Sequence, residues 1–152
     1  MHSIPDNSSK FLERDALAAA LHRCGQAWRS VLNDALAPLK LTPLQWAVLQ
    51  LATGGADRSQ GELAEHLGIE HASLVRVLDS LERDNWIERR PCSVDRRVKR
   101  VFLLPSCAER IEQAFEAAGK AHQQAMFRLS EEQQAQLIYL LDSMSAGLAD
   151  AK

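Results

Sequence analysis

The spacing of apolar residues predicts that the chain begins with a long helix. From Phe11 to Leu39, apolar residues recur every three or four positions, as on one face of an amphipathic helix. The predicted stripe comprises Leu17, Leu21, Cys24, Trp28, Val31, Ala35 and Leu39. Thr42 as N-cap and Pro43 in the first turn then predict a second helix, which Gly54 and Gly55 end.

Two shorter helices joined by a glycine follow. Ser59 and Glu62 are spaced as a capping box, so a helix should begin there and end at Gly68. Its inward residues are Leu63, Ala64 and Leu67. Residues 70–84 form the next predicted helix, with an inner stripe of Leu74, Leu78 and Leu81. Two helices that meet at a tight glycine turn are typical of a helix-turn-helix.

After Trp86 the pattern changes to that of a β-hairpin. Residues 87–90 form a short predicted strand and residues 91–96 a loop. The returning strand covers residues 98–104 and places Val101 and Leu103 on one face.

The C-terminal third of the chain predicts two more helices. Pro105 and the spacing of Ser106 and Glu109 predict a capping box and a long helix, and Ser130 and Gln133 predict the start of a final helix. The inner stripe of the first should be Ile111, Phe115, Ala118, His122, Ala125 and Leu129. The inner stripe of the second should be Leu137, Leu141, Met144 and Leu148.

These elements predict a single, mainly α domain with a small β-hairpin: a winged helix-turn-helix over residues 43–104, flanked by long terminal helices. The first helix would be about 43 Å long at 1.5 Å per residue, too long for its apolar stripe to be buried in one compact lobe. We therefore expect residues 11–40 and 105–150 to form the dimerisation region of a homodimer. The alternative is a monomer that folds these helices onto itself.

Composition excludes several classes of protein. The 152 residues are 46% hydrophobic and carry a net charge of -2, without an apolar run long enough to span a membrane. The polar N-terminal segment is not typical of a signal peptide, so we expect a cytoplasmic protein whose three cysteines are reduced. We find no phosphate-binding glycine loop, nucleophile motif or metal-spaced His/Cys cluster, which predicts a protein without catalytic residues, metal or cofactor rather than an enzyme.

Positive charge is concentrated at the hairpin. Residues 86–100 carry six cations and two acidic residues, a local charge of +4. Four of these cations, Arg96, Arg97, Lys99 and Arg100, crowd the tip, where phosphate neutralisation and insertion into the minor groove are physical reasons for them. Asp95 is interpreted as a brace that pairs with an arginine and fixes its direction. The alternative is a solvated charged loop.

The second helix of the helix-turn-helix should present a small-faced surface to the major groove. Its predicted outward residues are Ala72, Ser73, Arg76, Val77 and Ser80. Of these, Ala72, Ser73 and Arg76 are the candidate DNA contacts, since Arg76 can bind guanine in a bidentate manner or bind a phosphate. The alternative, which an isolated arginine favours, is that Arg76 is a solvated surface residue.

Residues 68–104 resemble the winged helix-turn-helix core of the MarR family of bacterial transcriptional regulators, and within it the SlyA branch. The shared motifs are GIE-x-x-SLVR-x-LD-x-LE and C-x-x-DRR-x-KR, together with the stretches Trp28-Arg29 and Leu39-x-Leu41-Thr42. The resemblance covers about residues 15–150 and implies a homodimer on pseudo-palindromic double-stranded DNA. It matches Arg76 to the recognition-helix arginine, Arg97 to the minor-groove arginine of the wing, and Asp95 to its positioning carboxylate. The usual threonine after the wing is absent, so Ser106 is expected to cap the next helix.

The resemblance also implies regulation by a small molecule. Many members of the family release DNA when aromatic carboxylates bind between the dimer helices and the DNA-binding lobe. The residues predicted to lie near such a pocket are His22, Trp28, Arg29 and Trp46. The alternative is that the tryptophans only fill the core.

A thiol-based redox response is an alternative mode of regulation. Cys24 lies on the apolar stripe, where burial would raise its pKa and leave it inert. Cys92 is the better candidate, because Arg89, Arg90 and Arg96 would favour its thiolate on an exposed wing. A different class of function, a winged-helix module that docks a protein partner, would have no need for so cationic a tip.

Overall fold

A computed structural model describes residues 8–54 and 58–150, with side chains from residue 16 onward. Six α-helices and one antiparallel pair of strands form this part of the chain. They are α1 (Ser8–Leu36), α2 (Pro43–Thr53), α3 (Gln60–Leu67), α4 (His71–Arg83), β1 (Ile87–Pro91), β2 (Lys99–Leu103), α5 (Ala108–Met126) and α6 (Glu131–Asp150). This mainly α arrangement with one hairpin confirms the predicted fold class.

The first helix ends three residues earlier than the apolar pattern predicted. After Leu36 the chain forms a 3₁₀ turn, Ala37–Leu39, and Lys40 then takes a left-handed conformation with φ of 56°. Pro38 explains the difference, since it lacks the N–H that would continue the helix and restricts the residue before it. Gly54 follows α2 as predicted, whereas Gly55 lies outside the described residues.

The helix-turn-helix and the hairpin share one apolar core. Leu74, Leu78 and Leu81 are fully buried on α4, and Leu63 is fully buried on α3. Val101 is buried and Leu103 packs against the same core, so the predicted inner face of the returning strand is confirmed. Burial of these apolar side chains is the main source of the free energy that holds α4 against α3 and the hairpin.

The sequence predicted an N-cap residue for four helices, and the structure confirms three of them. Thr42 with Gln45 and Ser59 with Glu62 form complete capping boxes, and Ser130 and Gln133 exchange the same pair of hydrogen bonds. The capping box predicted for Ser106 and Glu109 is wrong. Pro105–Cys107 forms a 3₁₀ turn, and α5 begins after Cys107 without a side-chain cap.

The α5 stripe is displaced from the predicted one. The buried residues are Ile111, Ala114, Ala118 and Ala121, while Phe115 is 44% exposed and His122 is exposed. Small alanines permit the close approach of α5 to α1, and the bulky Phe115 lies at the flank, where its ring meets that of Trp46. The helical spacing predicted for α5 is correct. Which face of the helix is buried depends on the size of its side chains as well as on their hydrophobicity.

The final helix does not bury its apolar face within the single chain. α6 has no buried residue, and the four residues predicted to face inward are all exposed in the single chain: Leu137, Leu141, Met144 and Leu148. Their burial between two copies stays a prediction. Leu17 and Cys24 of α1 are exposed as well. An apolar stripe indicates that a face can be covered, but it does not say by which chain.

Candidate nucleic-acid interface

The two helices of the helix-turn-helix meet at a left-handed glycine. Gly68 has φ of 62° and its N–H donates to the carbonyls of Ala64 and Glu65, which closes α3. This conformation disfavours residues with a Cβ, so the glycine is needed for the turn. The turn places the first residues of α4 at the surface, where Ala72, Ser73 and Arg76 are exposed.

The exposed face of α4 is narrower than the sequence predicted. Val77 is half-buried and packs against the core, and Ser80 is half-buried with its hydroxyl accepting a hydrogen bond from Gln45 of α2. Neither of these two residues belongs to an outward face. The surface left on the N-terminal half of α4 is small and carries one long cation, Arg76.

The hairpin over residues 87–103, the wing, is closed at its tip by backbone hydrogen bonds. The N–H of Cys92 donates to the carbonyl of Val98 at 2.8 Å, and the N–H of Val98 donates to the carbonyl of Asp95 at 3.0 Å. On the outer side of β2, Ser59 forms an isolated bridge with Arg100, and the N–H of Val101 donates to the carbonyl of Arg58. The wing is therefore tied to the start of α3.

Asp95 braces the backbone of the tip instead of pairing with a guanidinium. Its Oδ1 accepts a hydrogen bond from the backbone N–H of Arg97 at 2.9 Å. The predicted positioning role has support in this contact, but the predicted partner group was wrong. Within residues 58–150, Arg96, Arg97 and Lys99 are exposed and form no ion pair.

Two other cations of the wing, Arg89 and Arg90, form ion pairs with carboxylates. Arg89 is only 16% exposed at its side chain and pairs with Glu82 and with Asp79, the latter at 2.7 Å. The hydrogen bond from Arg89 lowers the pKa of Glu82. Arg90 pairs with Glu88 of the same strand.

Arg89 thus joins the wing to the recognition helix, a role that the sequence analysis missed. The signal was available in the spacing of Asp79 and Glu82, which lie three positions apart on one face of α4. A pair of carboxylates on that face of α4 needed a cation from another element, and β1 supplies it.

Cys92 is buried rather than exposed, with 7% of its surface accessible. Its Sγ accepts a hydrogen bond from Arg100 Nε at 3.3 Å, and this bond, followed by those from the backbone of Asp95 and Val94, lowers the pKa of the thiol to about 7. The predicted direction agrees, but the cation responsible is Arg100.

The other two cysteines, Cys24 and Cys107, differ in their burial. Cys24 was predicted to be buried and is exposed in the single chain, so none of the described elements covers its side chain. Cys107 is buried, its Sγ lies 3.3 Å from the carbonyl oxygen of Trp86, and burial raises its pKa. Cys92 is therefore the thiol that the structure favours as a thiolate.

A cationic cleft separates the wing from the helix-turn-helix. It has a volume of about 520 Å³ and is bordered by the starts of α3 and α4 and by the returning strand of the wing. Its lining residues are Ser59, Gln60, Gly61, His71, Val75, Arg89, Arg97, Val98 and Lys99. Arg97 and Lys99 of the wing and His71 and Val75 of α4 thus border one opening. The other predicted DNA-binding residues are not among its lining residues: Ala72, Ser73, Arg76, Arg96 and Arg100.

A second cavity, of about 450 Å³, lies between α1, α2 and α5. Trp28, Arg29 and Trp46 line it together, whereas the fourth predicted residue, His22, is not among its lining residues. The ring of Trp28 meets His122 edge-on with centroids 6.3 Å apart, and that of Trp46 meets Phe115 at 4.8 Å. His122 was missed because its place on the predicted α5 stripe assigned it to the core.

Comparison with known proteins identifies the family. A family model described as "MarR family" matches residues 39–98. A cysteine-to-serine mutant of MarR from E. coli, solved in complex with operator DNA, is 31% identical and superposes with a TM-score of 0.78, over 93% of this chain and 99% of that one. The chain belongs to the MarR family of transcriptional regulators. This confirms the family predicted from residues 68–104.

Two further solved structures have a similar fold. The transcriptional regulator PA3341 is 30% identical with a TM-score of 0.78, over 88% of this chain and 98% of that one. BpsR from Bordetella bronchiseptica, whose DNA binding is regulated by 6-hydroxynicotinic acid, has a TM-score of 0.76 over 84% of this chain and 91% of that one. At 23% identity, the similarity to BpsR is one of fold.

Two absences apply to the described residues. None of the helices among them combines the length and apolarity that a bilayer span requires. Within the same residues, no group of three or more His, Cys, Asp or Glu side chains is placed to hold a metal ion.

Proposed function

We propose that this MarR-family protein is a homodimeric, sequence-specific regulator that binds double-stranded DNA at pseudo-palindromic promoter sites in the cytoplasm. The observation that carries the proposal is the cationic cleft, in which the exposed Arg97 and Lys99 of the wing meet His71 and Val75 at the start of α4. A surface of this shape and charge can follow a phosphate backbone while α4 reaches the base edges.

The recognition helix contributes a surface that permits close approach. Ala72 and Ser73 are small and exposed at the start of α4, so the backbone of the helix can enter the major groove. Arg76 lies one turn further and is long enough to bind guanine or a phosphate. These three residues are the proposed contacts of α4.

The wing contributes the minor-groove and phosphate contacts. Arg97 is the proposed minor-groove residue, since Asp95 fixes its backbone while its guanidinium stays without an ion-pair partner among the described residues. Arg96, Lys99 and Arg100 are the proposed phosphate contacts, with Arg100 also bound to Cys92. The motif C-x-x-DRR-x-KR that contains them is the basis for placing the chain in the SlyA branch.

A second copy of the chain is the proposed occupant of the exposed apolar faces. The stripe on α6 is exposed in the single chain, and α1 is exposed at Leu17. Burying such stripes between two-fold related copies is the commonest solution in oligomers. It would bring two recognition helices to the two half-sites of a palindrome.

A small aromatic carboxylate is the proposed modulator. Trp28, Trp46 and Phe115 offer aromatic surface in the α1–α2–α5 cavity, and Arg29 offers a cation for a carboxylate. Pro43 and Trp46 of α2 line this cavity, and Gln45 of the same helix contacts α4. An occupant that shifts α2 would therefore alter the position of the recognition helix.

Two alternatives remain proposals of lower rank. A thiol-based response has one specific observation in its favour, the contact of Arg100 with Cys92 and the lowered pKa of that thiol. A protein-docking winged helix has less support, since the related E. coli MarR mutant is complexed with operator DNA.

The decisive experiment is selection of bound sites from random DNA duplexes, using protein whose oligomeric state has been measured by size exclusion. We expect an enriched palindromic sequence with half-sites about one helical turn apart. Affinity for it should fall steeply with salt, with a slope of about -0.9 for each phosphate neutralised. No enrichment together with a flat salt response would reject DNA binding and favour protein docking.

A further inference from the structure

Gln45 is a buried polar side chain that connects α2 to the recognition helix. It is 8% exposed, and it is the one buried polar residue among the described side chains. Its Nε2 donates to Ser80 Oγ of α4 at 3.1 Å, across 35 positions of sequence. A buried amide that lacks a hydrogen-bond partner destabilises the folded state, because it has lost its hydration. The Gln45 amide therefore depends on its bond to Ser80, and this bond requires a particular direction.

The orientation of the Gln45 amide is fixed by the start of its own helix. Its Oε1 accepts the N–H of Thr42 at 2.8 Å, and its backbone N–H donates to Thr42 Oγ1 at 3.2 Å. Since the oxygen end of the amide is engaged in this capping box, the nitrogen end points to Ser80. Residue 80 must therefore supply an acceptor.

The apolar contacts of α4 lack this directional property. Leu74, Leu78 and Leu81 are fully buried and hold one face of the helix against the core, but the free energy of apolar burial is non-directional. A hydrogen bond loses strength steeply when its angle changes. Ser80 lies about one turn after Arg76, so a rotation that breaks its bond to Gln45 also redirects Arg76.

We propose that the Gln45–Ser80 hydrogen bond sets the rotation of the recognition helix and is thereby a determinant of DNA specificity. Gln45 and Ser80 act as positioning residues through Ala72, Ser73 and Arg76, and neither needs to touch DNA. The proposal rests on the DNA-binding function proposed above. It predicts that loss of the bond reduces discrimination between DNA sequences more than it reduces affinity for DNA in general.

The first test replaces Ser80 and measures affinity for the selected site and for a scrambled duplex. Ser80→Ala should lower the ratio of the two affinities about tenfold, because the buried Gln45 amide loses its acceptor and α4 its hydrogen bond to α2. Ser80 Oγ also accepts from Arg83 Nη2 of the same helix, and that bond within α4 does not connect the helix to α2. The ion pairs of Arg89 with Asp79 and Glu82 still hold α4 to the wing in this variant, so the fold should be kept. Ser80→Thr keeps a hydroxyl and should restore the ratio. The salt slope on scrambled DNA should be the same for all three proteins, since the phosphate contacts are unchanged.

Two control variants separate positioning from stability. Thr42→Ala removes the N-cap hydroxyl of α2 and lowers the melting temperature, yet it leaves the bond to Ser80 in place, so the ratio should be that of the wild type. The double variant Gln45→Met with Ser80→Ala removes both polar partners. It should recover stability relative to Ser80→Ala while its ratio stays low.

The outcomes distinguish the two proposals. If the wild type selects no DNA, the proposed function fails. If the wild type selects a site but Ser80→Ala keeps its full ratio, or Thr42→Ala loses as much of the ratio as Ser80→Ala, the positioning role of Gln45 and Ser80 is overturned. A double variant with a restored ratio would also overturn it, since stability alone would then explain the loss.

Discussion

Asp95 Oδ1 lies 2.9 Å from the backbone nitrogen of Arg97 and accepts its N–H, so this carboxylate holds the peptide of the wing tip and not the arginine side chain. The geometry is that of a side chain that stabilises a turn two residues ahead of it. Its consequence is that Arg97 is presented at a fixed point of the tip with its guanidinium available for another partner.

The hydrogen bond accepted by Asp95 predicts different results for alanine and for asparagine at this position. Asp95→Ala removes the acceptor and should weaken DNA binding about threefold to tenfold, because the tip must be ordered on binding. Asp95→Asn keeps an oxygen acceptor and should bind at least as well as the wild type. Titration of a labelled operator by fluorescence anisotropy measures both, and equal losses for the two variants would mean that the negative charge is what matters.

Arg97 and Arg89 should respond in opposite ways to replacement by alanine. Arg97→Ala should cost about 1–3 kcal/mol of binding free energy with an unchanged melting temperature, since Arg97 is a proposed DNA contact and forms no ion pair among the described residues. Arg89→Ala should instead lower the melting temperature, because Glu82 and Asp79 lose their shared partner. Binding assays and thermal unfolding of the two variants compare them directly, and loss of stability in Arg97→Ala would make that residue structural.

Cys92 should ionise well below the ordinary range of a thiol. Its pKa is lowered from 9.0 to about 7, so the ultraviolet absorbance of thiolate should rise near neutral pH in a variant in which Cys24 and Cys107 are replaced by serine. Replacing Arg100 by methionine should return this transition toward higher pH. A transition that does not move would assign the shift to the backbone N–H groups of Asp95 and Val94.

The same shift has a defined effect on stability. A group whose pKa is depressed in the folded state contributes stability that is fully present above its unfolded pKa. For Cys92 the contribution is complete above about pH 9 and is lost as the pH falls through about 7. The difference in unfolding free energy between the wild type and Cys92→Ser should therefore grow as the pH is raised from 6 to about 9.

The apolar face of α6 should control the oligomeric state. Leu141→Glu places a charge in the centre of the exposed stripe and should convert a dimer to a monomer, because a charge buried at the interface would be unpaired. Ser143→Glu adds the same charge on the opposite side of the helix, about 160° away from Leu141, and should leave the dimer intact. Sedimentation or light scattering measures the mass of each variant, and dissociation of both would place the interface elsewhere on α6.

Local patterns in the sequence predicted most of the fold, because they depend on neighbours a few positions apart. The capping box of Ser59 and Glu62, the glycine turn at Gly68 and the leucine stripe of α4 all follow from helical geometry, and the structure confirms each. Where a local rule failed, another local constraint had been overlooked, as with the proline that ends α1 before Leu39.

The candidate site was predicted in composition but not in its internal contacts. The sequence placed four cations at the wing tip and a fifth and sixth beside it. The spacing of Asp79 and Glu82 indicated an acidic face of α4, but it did not show which cation of another element binds that face. Pairing between elements depends on how they cross, and charge counting along the chain does not contain that information. The same reason explains why Arg100, rather than the predicted arginines, acts on Cys92.

The sequence by itself determined the order of the elements, the helix-turn-helix and the concentration of positive charge at one hairpin, since hydrophobic period, caps and turn residues act over a few positions. Only the tertiary structure decided that Gln45 bonds to Ser80, that Trp28 and His122 border one cavity, and that the apolar face of α6 has no cover in a single chain. These facts depend on distances between residues far apart in sequence, and packing of the whole chain sets those distances.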